Sequence, residues 1–138
     1  MKKFSKVLAL CLVTVFAALS LVACAPNSNP EKAEANLKDK GYKATRLTDA
    51  ITLTATELVL GCTRGDIVTI VSGTKIGEDK TDTVTVIYFK DASVAKKCWD
   101  KANEKYGKSE SDDEDDWVID RSGKMIYYGT KDGVKATY

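Results

Sequence analysis

Asp82-Thr83-Val84-Thr85-Val86-Ile87-Tyr88-Phe89 is the stretch on which the fold turns. In an extended chain Val84, Val86 and Tyr88 fall on one face, and Thr83, Thr85, Ile87 and Phe89 on the other. Both faces turn apolar toward the end of the run, which predicts a central strand. Upstream, Ile67-Val68-Thr69-Ile70-Val71 is a β-branched run, and it predicts a second central strand over 66–72. Gly73 to Thr81 reads as a polar loop between the two. Downstream, Asp91 is placed to cap a helix running to Tyr106. Ala95, Cys98, Trp99, Ala102 and Tyr106 recur there at spacings of three and four, and Gly107 ends it.

Further out the pattern is a hairpin. Ser122-Gly123 serves as a two-residue turn between Arg121 and Lys124. Counting outward pairs Asp120 with Met125, Ile119 with Ile126, Val118 with Tyr127 and Trp117 with Tyr128. Trp117, Ile119, Ile126 and Tyr128 then share one core face, while Tyr127 with Val118 lies on the other and is the candidate for an exposed patch. The tail from Gly129 to Tyr138 has no distinct pattern.

On the amino-terminal side, Asn29-Pro30-Glu31 starts a helix, with Asn as N-cap, Pro at the first position and an acid in the first turn. Gly41 stops it. Tyr42 to Thr48 reads as a strand. Ile51 to Leu60 is open between strand and helix, because Ile51-Thr52-Leu53-Thr54-Ala55 alternates while Leu58-Val59-Leu60 suits a helix end. Gly61 and Gly65 bracket a turn. The order predicts an α+β fold, an antiparallel sheet of about four to five strands with two helices packed on one face.

The chain has 138 residues, enough for one domain, and 43% of them belong to the hydrophobic set. It has no histidine, which excludes His-based triads, His zinc sites and imidazole pH sensing. Lys2, Lys3 and Lys6 precede an apolar run from Val7 to Val22 that is too short to span a bilayer. Positive residues, a short apolar stretch and small residues at its end form a secretory signal. The run closes on Leu21-Val22-Ala23-Cys24, which resembles the lipobox of bacterial lipoproteins at all four positions. The resemblance implies cleavage after Ala23, a diacylglyceryl thioether on Cys24 and residence on the extracytoplasmic face of the cell membrane. The alternative is an uncleaved anchor helix with Cys24 an ordinary buried thiol. The rest of the chain is similar, more diffusely, to small Gram-positive lipoproteins, through Lys124-Met125-Ile126-Tyr127-Tyr128-Gly129-Thr130 and Tyr88-Phe89-Lys90-Asp91-Ala92.

With residues 1–23 removed, 18 Lys and Arg stand against 20 Asp and Glu, because the signal carries three of the 21 cations. No basic stripe is left, so nucleic acid is not an expected partner. Residues 24–29 make a short tether, at most about 18 Å for Ala25 to Asn29, and 30–138 form the α+β domain.

Few residues suggest chemistry. Cys62 and Cys98 are the two thiols left in an oxidising compartment, and they form either a disulfide enclosing 35 residues or two buried free thiols. No Cys-x-x-Cys pair marks a redox centre. The acidic run Glu110 to Asp116 is a solvated loop or a cation site, and it lacks EF-hand spacing. Gly61-Cys62-Thr63-Arg64-Gly65 lacks the ending of a phosphate loop and reads as a turn in which Arg64 could bind an anionic group. Trp99, Trp117, Tyr127 and Tyr128 are core or ligand-facing aromatics. No motif names a reaction, a metal or a cofactor. The expectation is a non-catalytic binding or accessory module anchored to the membrane by lipid, with an envelope protein as partner. The alternatives are a small-ligand carrier, or an envelope enzyme or redox accessory using Cys62 and Cys98.

Overall fold

The computed structural model describes residues 25–108 and 114–138. Residues 1–24, with the expected signal and Cys24, and residues 109–113, with the first part of the acidic run, lie outside them. The chain runs α1 (Pro30–Asp39), β1 (Lys43–Leu47), α2 (Ala50–Leu60), β2 (Ile67–Ile76), β3 (Thr81–Phe89), α3 (Ala92–Tyr106), a 3-10 turn (Glu114–Asp116), β4 (Trp117–Ser122), β5 (Met125–Thr130) and α4 (Lys131–Lys135). The five strands form one antiparallel sheet in the order β1-β2-β3-β5-β4. The fold is α+β, with β3 at the centre as its two-faced apolar pattern requires.

The helices start where their capping residues stand. Asn29 accepts from the backbone N–H of Glu31 and Lys32, and Asp91 from that of Val94. At the end of α1, Gly41 N–H donates to the Lys38 carbonyl and Tyr42 N–H to that of Leu37, so the last turn is closed by hydrogen bonds. The open segment 51–60 is a helix. Its cap Asp49 accepts from Thr52 N–H, and the alternation of threonines follows the helical surface rather than a strand face.

The helices divide between the two faces of the sheet, which corrects the expectation of two helices on one face. Ala33 and Leu37 of α1, with Val134 and Ala136 at the carboxyl end, cover Val71, Val84, Val86, Tyr88, Met125 and Tyr127. Leu60 of α2 and Ala95, Cys98 and Ala102 of α3 cover Ile67, Ile70, Ile87, Phe89 and Ile126 on the other side. The cause lies in β3 and β5. Each sends apolar side chains both ways, so each face needs its own cover. Burying a side chain such as Leu37 fully contributes about 2 kcal/mol, so neither face could be left wet without a large loss.

The hairpin keeps the expected faces with a register moved by two. Ser122 pairs with Met125, Arg121 with Ile126, Ile119 with Tyr128 and Trp117 with Thr130. The turn residues are therefore Gly123 and Lys124. Gly123 has φ of 55°, and a turn with glycine first lets Lys124 keep an ordinary negative φ. Placing Ser122 first would have put a side chain in that left-handed position. A slip of two returns every side chain to its own face. Trp117 and Tyr128 accordingly meet, ring centroids 6.2 Å apart, and Tyr128 stacks on Tyr106 at 4.3 Å. Tyr127 is buried among the residues under α1 and the carboxyl-terminal segment, so the exposed patch expected at Tyr127 and Val118 is absent. The polar loop over 73–81 shrinks to residues 77–80, because β2 continues to Ile76.

Candidate functional site

Two ends of the sheet carry the polar chemistry. At the first, β3 ends and β2 begins, and the turn between α2 and β2 is built around two buried acids. Glu57 is 3% exposed, and its Oε1 accepts from the backbone N–H of Gly65 (2.9 Å) and of Ile67 (3.0 Å). Asp66 is 4% exposed; its Oδ2 accepts from Thr63 N–H at 2.8 Å and its Oδ1 lies 3.0 Å from Lys90 Nζ. The Thr63 N–H and then the Lys90 ammonium hold the Asp66 carboxyl below the usual carboxylate range. Arg64 is exposed on the turn, as the turn reading requires.

Removing the acid support has a defined cost. Glu57→Ala leaves two backbone donors without a partner, one of them buried, and is expected to lower stability by about 2 kcal/mol in chemical denaturation. Acid should weaken the same region. Folding keeps Asp66 ionised, so the unfolded chain binds more protons across the carboxylate range. Stability is then fully present above the unfolded pKa and is lost as pH falls through the lowered folded value. Urea midpoints measured from pH 5 to pH 3 are expected to fall, and to fall less steeply in Asp66→Asn.

Cys62 closes the end of α2, its N–H donating to the Glu57 carbonyl at 2.8 Å. Its side chain packs in the same core cluster as Cys98 of α3. The two sulfurs are neighbours and unbridged. Burial, and after it the Cys98 thiol, push the Cys62 thiol well above its ordinary value. That opposes thiolate formation, which a reactive cysteine needs.

The opposite end holds an open cleft of about 350 Å³ lined by Lys40, Tyr42, Lys75, Asp82, Asp132 and Lys135. Tyr42 follows directly on the α1 stop, and its ring packs beneath Lys75 Nζ, 5.7 Å from the centroid. Burial, with the nearby charges of Asp82 and Asp132, pushes the Tyr42 hydroxyl up to about 12. Lys80, at the β2–β3 hairpin, sits 2.8 Å from Asp132 Oδ2, 3.5 Å from Asp82 Oδ1 and 3.8 Å from Asp116 Oδ2. Its pKa is raised, first by the Asp132 contact. Asp82 Oδ1 is buried and has no hydrogen-bond partner, only the ion pair with Lys80. The cleft thus presents paired charges, a setting suited to polar or charged side chains rather than to an apolar ligand.

Of the residues singled out in the sequence, the structure brings Cys62 and Cys98 together, joins Trp117 to Tyr128 and places Trp99 against the core under α3. Asp116, the last of the acidic run, turns inward to Lys80 and the Lys131 N–H. Glu57 and the Lys80 cluster were not singled out. Glu57 had one signal, as the sole charge in Ala50–Leu60; the Lys80 cluster joins three segments distant in sequence, 80–82, Asp116 and Asp132, and had none. No family model, no curated protein and no solved structure matches the chain. Among the described residues, no helix is long and apolar enough to cross a membrane.

Proposed function

We propose that the protein is a lipid-anchored extracytoplasmic binding module, held on the membrane through Cys24 and presenting the far-end cleft to an envelope protein. One observation supports this above others: the fold takes hold of the chain immediately after the lipobox. Pro26 is buried, Asn27 N–H donates to the Thr137 carbonyl at 3.1 Å, and Tyr88 OH donates to the Asn27 carbonyl at 2.7 Å. The expected tether is therefore docked on the domain. A lipid on Cys24 leaves the domain almost no slack, so its partners are confined to the membrane's immediate neighbourhood. The mixed charge of the cleft fits a protein surface, where charge pairs set register and partner choice.

The test is in-cell crosslinking of the full chain, followed by pull-down and mass spectrometry, beside Cys24→Ser and Lys80→Glu. The expected result is one protein recovered with the wild type and lost in both variants. Recovery of bulk membrane proteins alone, equally from all three, would overturn the binding role.

A redox accessory is the second reading, favoured by the adjacency of Cys62 and Cys98. The raised thiol of Cys62 weighs against it. Iodoacetamide at pH 8 is expected to alkylate both thiols quickly in guanidinium and slowly in the native protein. Fast native alkylation of Cys62 would restore the redox reading.

A further inference from the structure

Helix α2 shows solvent a surface without charge. Ile51, Ala55 and Leu58 follow one another at spacings of four and three along one line of the helix, with Val59 beside them. Ile51 is 85% exposed, Leu58 81% and Val59 47%. The helix's one charged residue, Glu57, is turned inward to the Gly65 and Ile67 N–H groups. Exposed aliphatic surface gathered on one helix marks a face with a partner.

The position of α2 indicates which partner. The helix is strung between the end of β1 at Leu47 and the start of β2 at Ile67, so both its ends lie at the end of the sheet where β3 finishes. Val68, the extra residue of a bulge in β2, adds exposed apolar surface there. The amino-terminal chain joins the domain at the same end, since Asn27 is fixed by Tyr88, the next-to-last residue of β3. Cys24 lies three residues before Asn27, a reach of about 11 Å at most. The charges agree. Arg64 and Lys124 are exposed at this end, and Lys101 lies over Gly61. Of the acids nearby, Asp49 and Asp91 serve as helix caps and Asp66 pairs with Lys90, while Asp120 stands exposed close to the β4–β5 turn. Glu78, Asp79 and Asp132 stand at the opposite end.

We propose that α2 is a membrane-docking helix. With Cys24 acylated, this end of the sheet rests on the bilayer, Ile51, Leu58 and Val59 enter its interfacial region, and Arg64 and Lys124 meet lipid phosphates. The cleft at the other end then faces away from the membrane. The proposal rests on the lipid-anchor reading and adds an orientation to it.

The test uses the full chain expressed with its signal, purified from membranes and reconstituted in vesicles of phosphatidylglycerol and phosphatidylethanolamine with brominated acyl chains. Two exposed positions carry an added tryptophan, Leu58→Trp on α2 and Ile76→Trp at the opposite end. Both sites are open, so neither change disturbs the core. Trp99 and Trp117 form a common background. The added emission of Leu58→Trp is expected to shift to the blue and to be largely quenched by the bromines, while that of Ile76→Trp is unchanged. An acylated protein that floats with the vesicles but leaves Leu58→Trp unquenched would overturn the docking and spare the anchor. A blue shift without quenching would mean a second copy of the chain covers α2, and would overturn it equally. A chain with no acyl group on Cys24, by intact mass, would overturn both.

Discussion

Gly129→Ala is expected to remove about 3 kcal/mol of stability or more, a large share of what a small domain has. Gly129 lies in β5, paired with Val84 on one side and Val118 on the other, with φ of 152°. A Cβ there would press on the Thr83 carbonyl oxygen and stand 2.7 Å from Val84 Cα. Both obstacles are backbone, so no side chain can turn aside. The central β3–β5 pair must separate locally. Gly133, at the start of α4, approaches the same Thr83 carbonyl, and Thr130 ties the region together by donating to Thr83 O and accepting from Thr83 N–H and Gly133 N–H. Gly123→Ala is the control. It also has a positive φ, but its Cβ would meet open space, so only the backbone strain of about 1 kcal/mol applies. Urea denaturation of the two variants separates the causes. Equal losses would show that φ, not the close approach, governs Gly129.

Oxidation of the Cys62–Cys98 pair should have an effect of similar size in the opposite direction. Thiol–disulfide exchange with oxidised glutathione takes two electrons from the pair, releases its two protons and reduces one glutathione disulfide to two thiols. The bond that forms closes a loop of 35 intervening residues and pins the turn after α2 to α3. The chain-entropy model gives about 3–4 kcal/mol for such a loop. The expected result is loss of both titratable thiols without dimer formation, and a melting temperature higher by about 10 °C or more. A dimer, or two thiols that persist under the oxidant, would show that the neighbouring sulfurs cannot reach bonding geometry.

The sequence carried most of the frame. Asn29 and Asp91 cap helices, and β3 alternates between two apolar faces in the way its residues alternate. What it did not carry has physical causes. Ala50–Leu60 is apolar almost all round, so no helical stripe separates it from a strand; the helix was settled by its Asp49 cap and by burial of Glu57 and Leu60. The hairpin register depended on which turn residue could hold a positive φ, and two candidate turns share Gly123. The short helix α4 is set by contacts of Thr130 and Gly133 with Thr83, 47 residues away in the first case. The candidate cleft was illegible for the same reason, since Tyr42, Lys80, Asp82 and Asp132 meet only after the sheet has formed. Cys62 and Cys98 were visible as a pair by count, and their adjacency became visible only when α2 was placed beside α3.

The central claim is that Cys24 is the attachment point of a domain standing directly on the membrane. The most direct measurement is the mass of the amino-terminal peptide of the protein isolated from the membrane fraction of cells making the full chain. The account predicts a peptide beginning at Cys24 and carrying a diacylglyceryl thioether. A peptide beginning at Met1, or one with an unmodified Cys24 thiol, would contradict it.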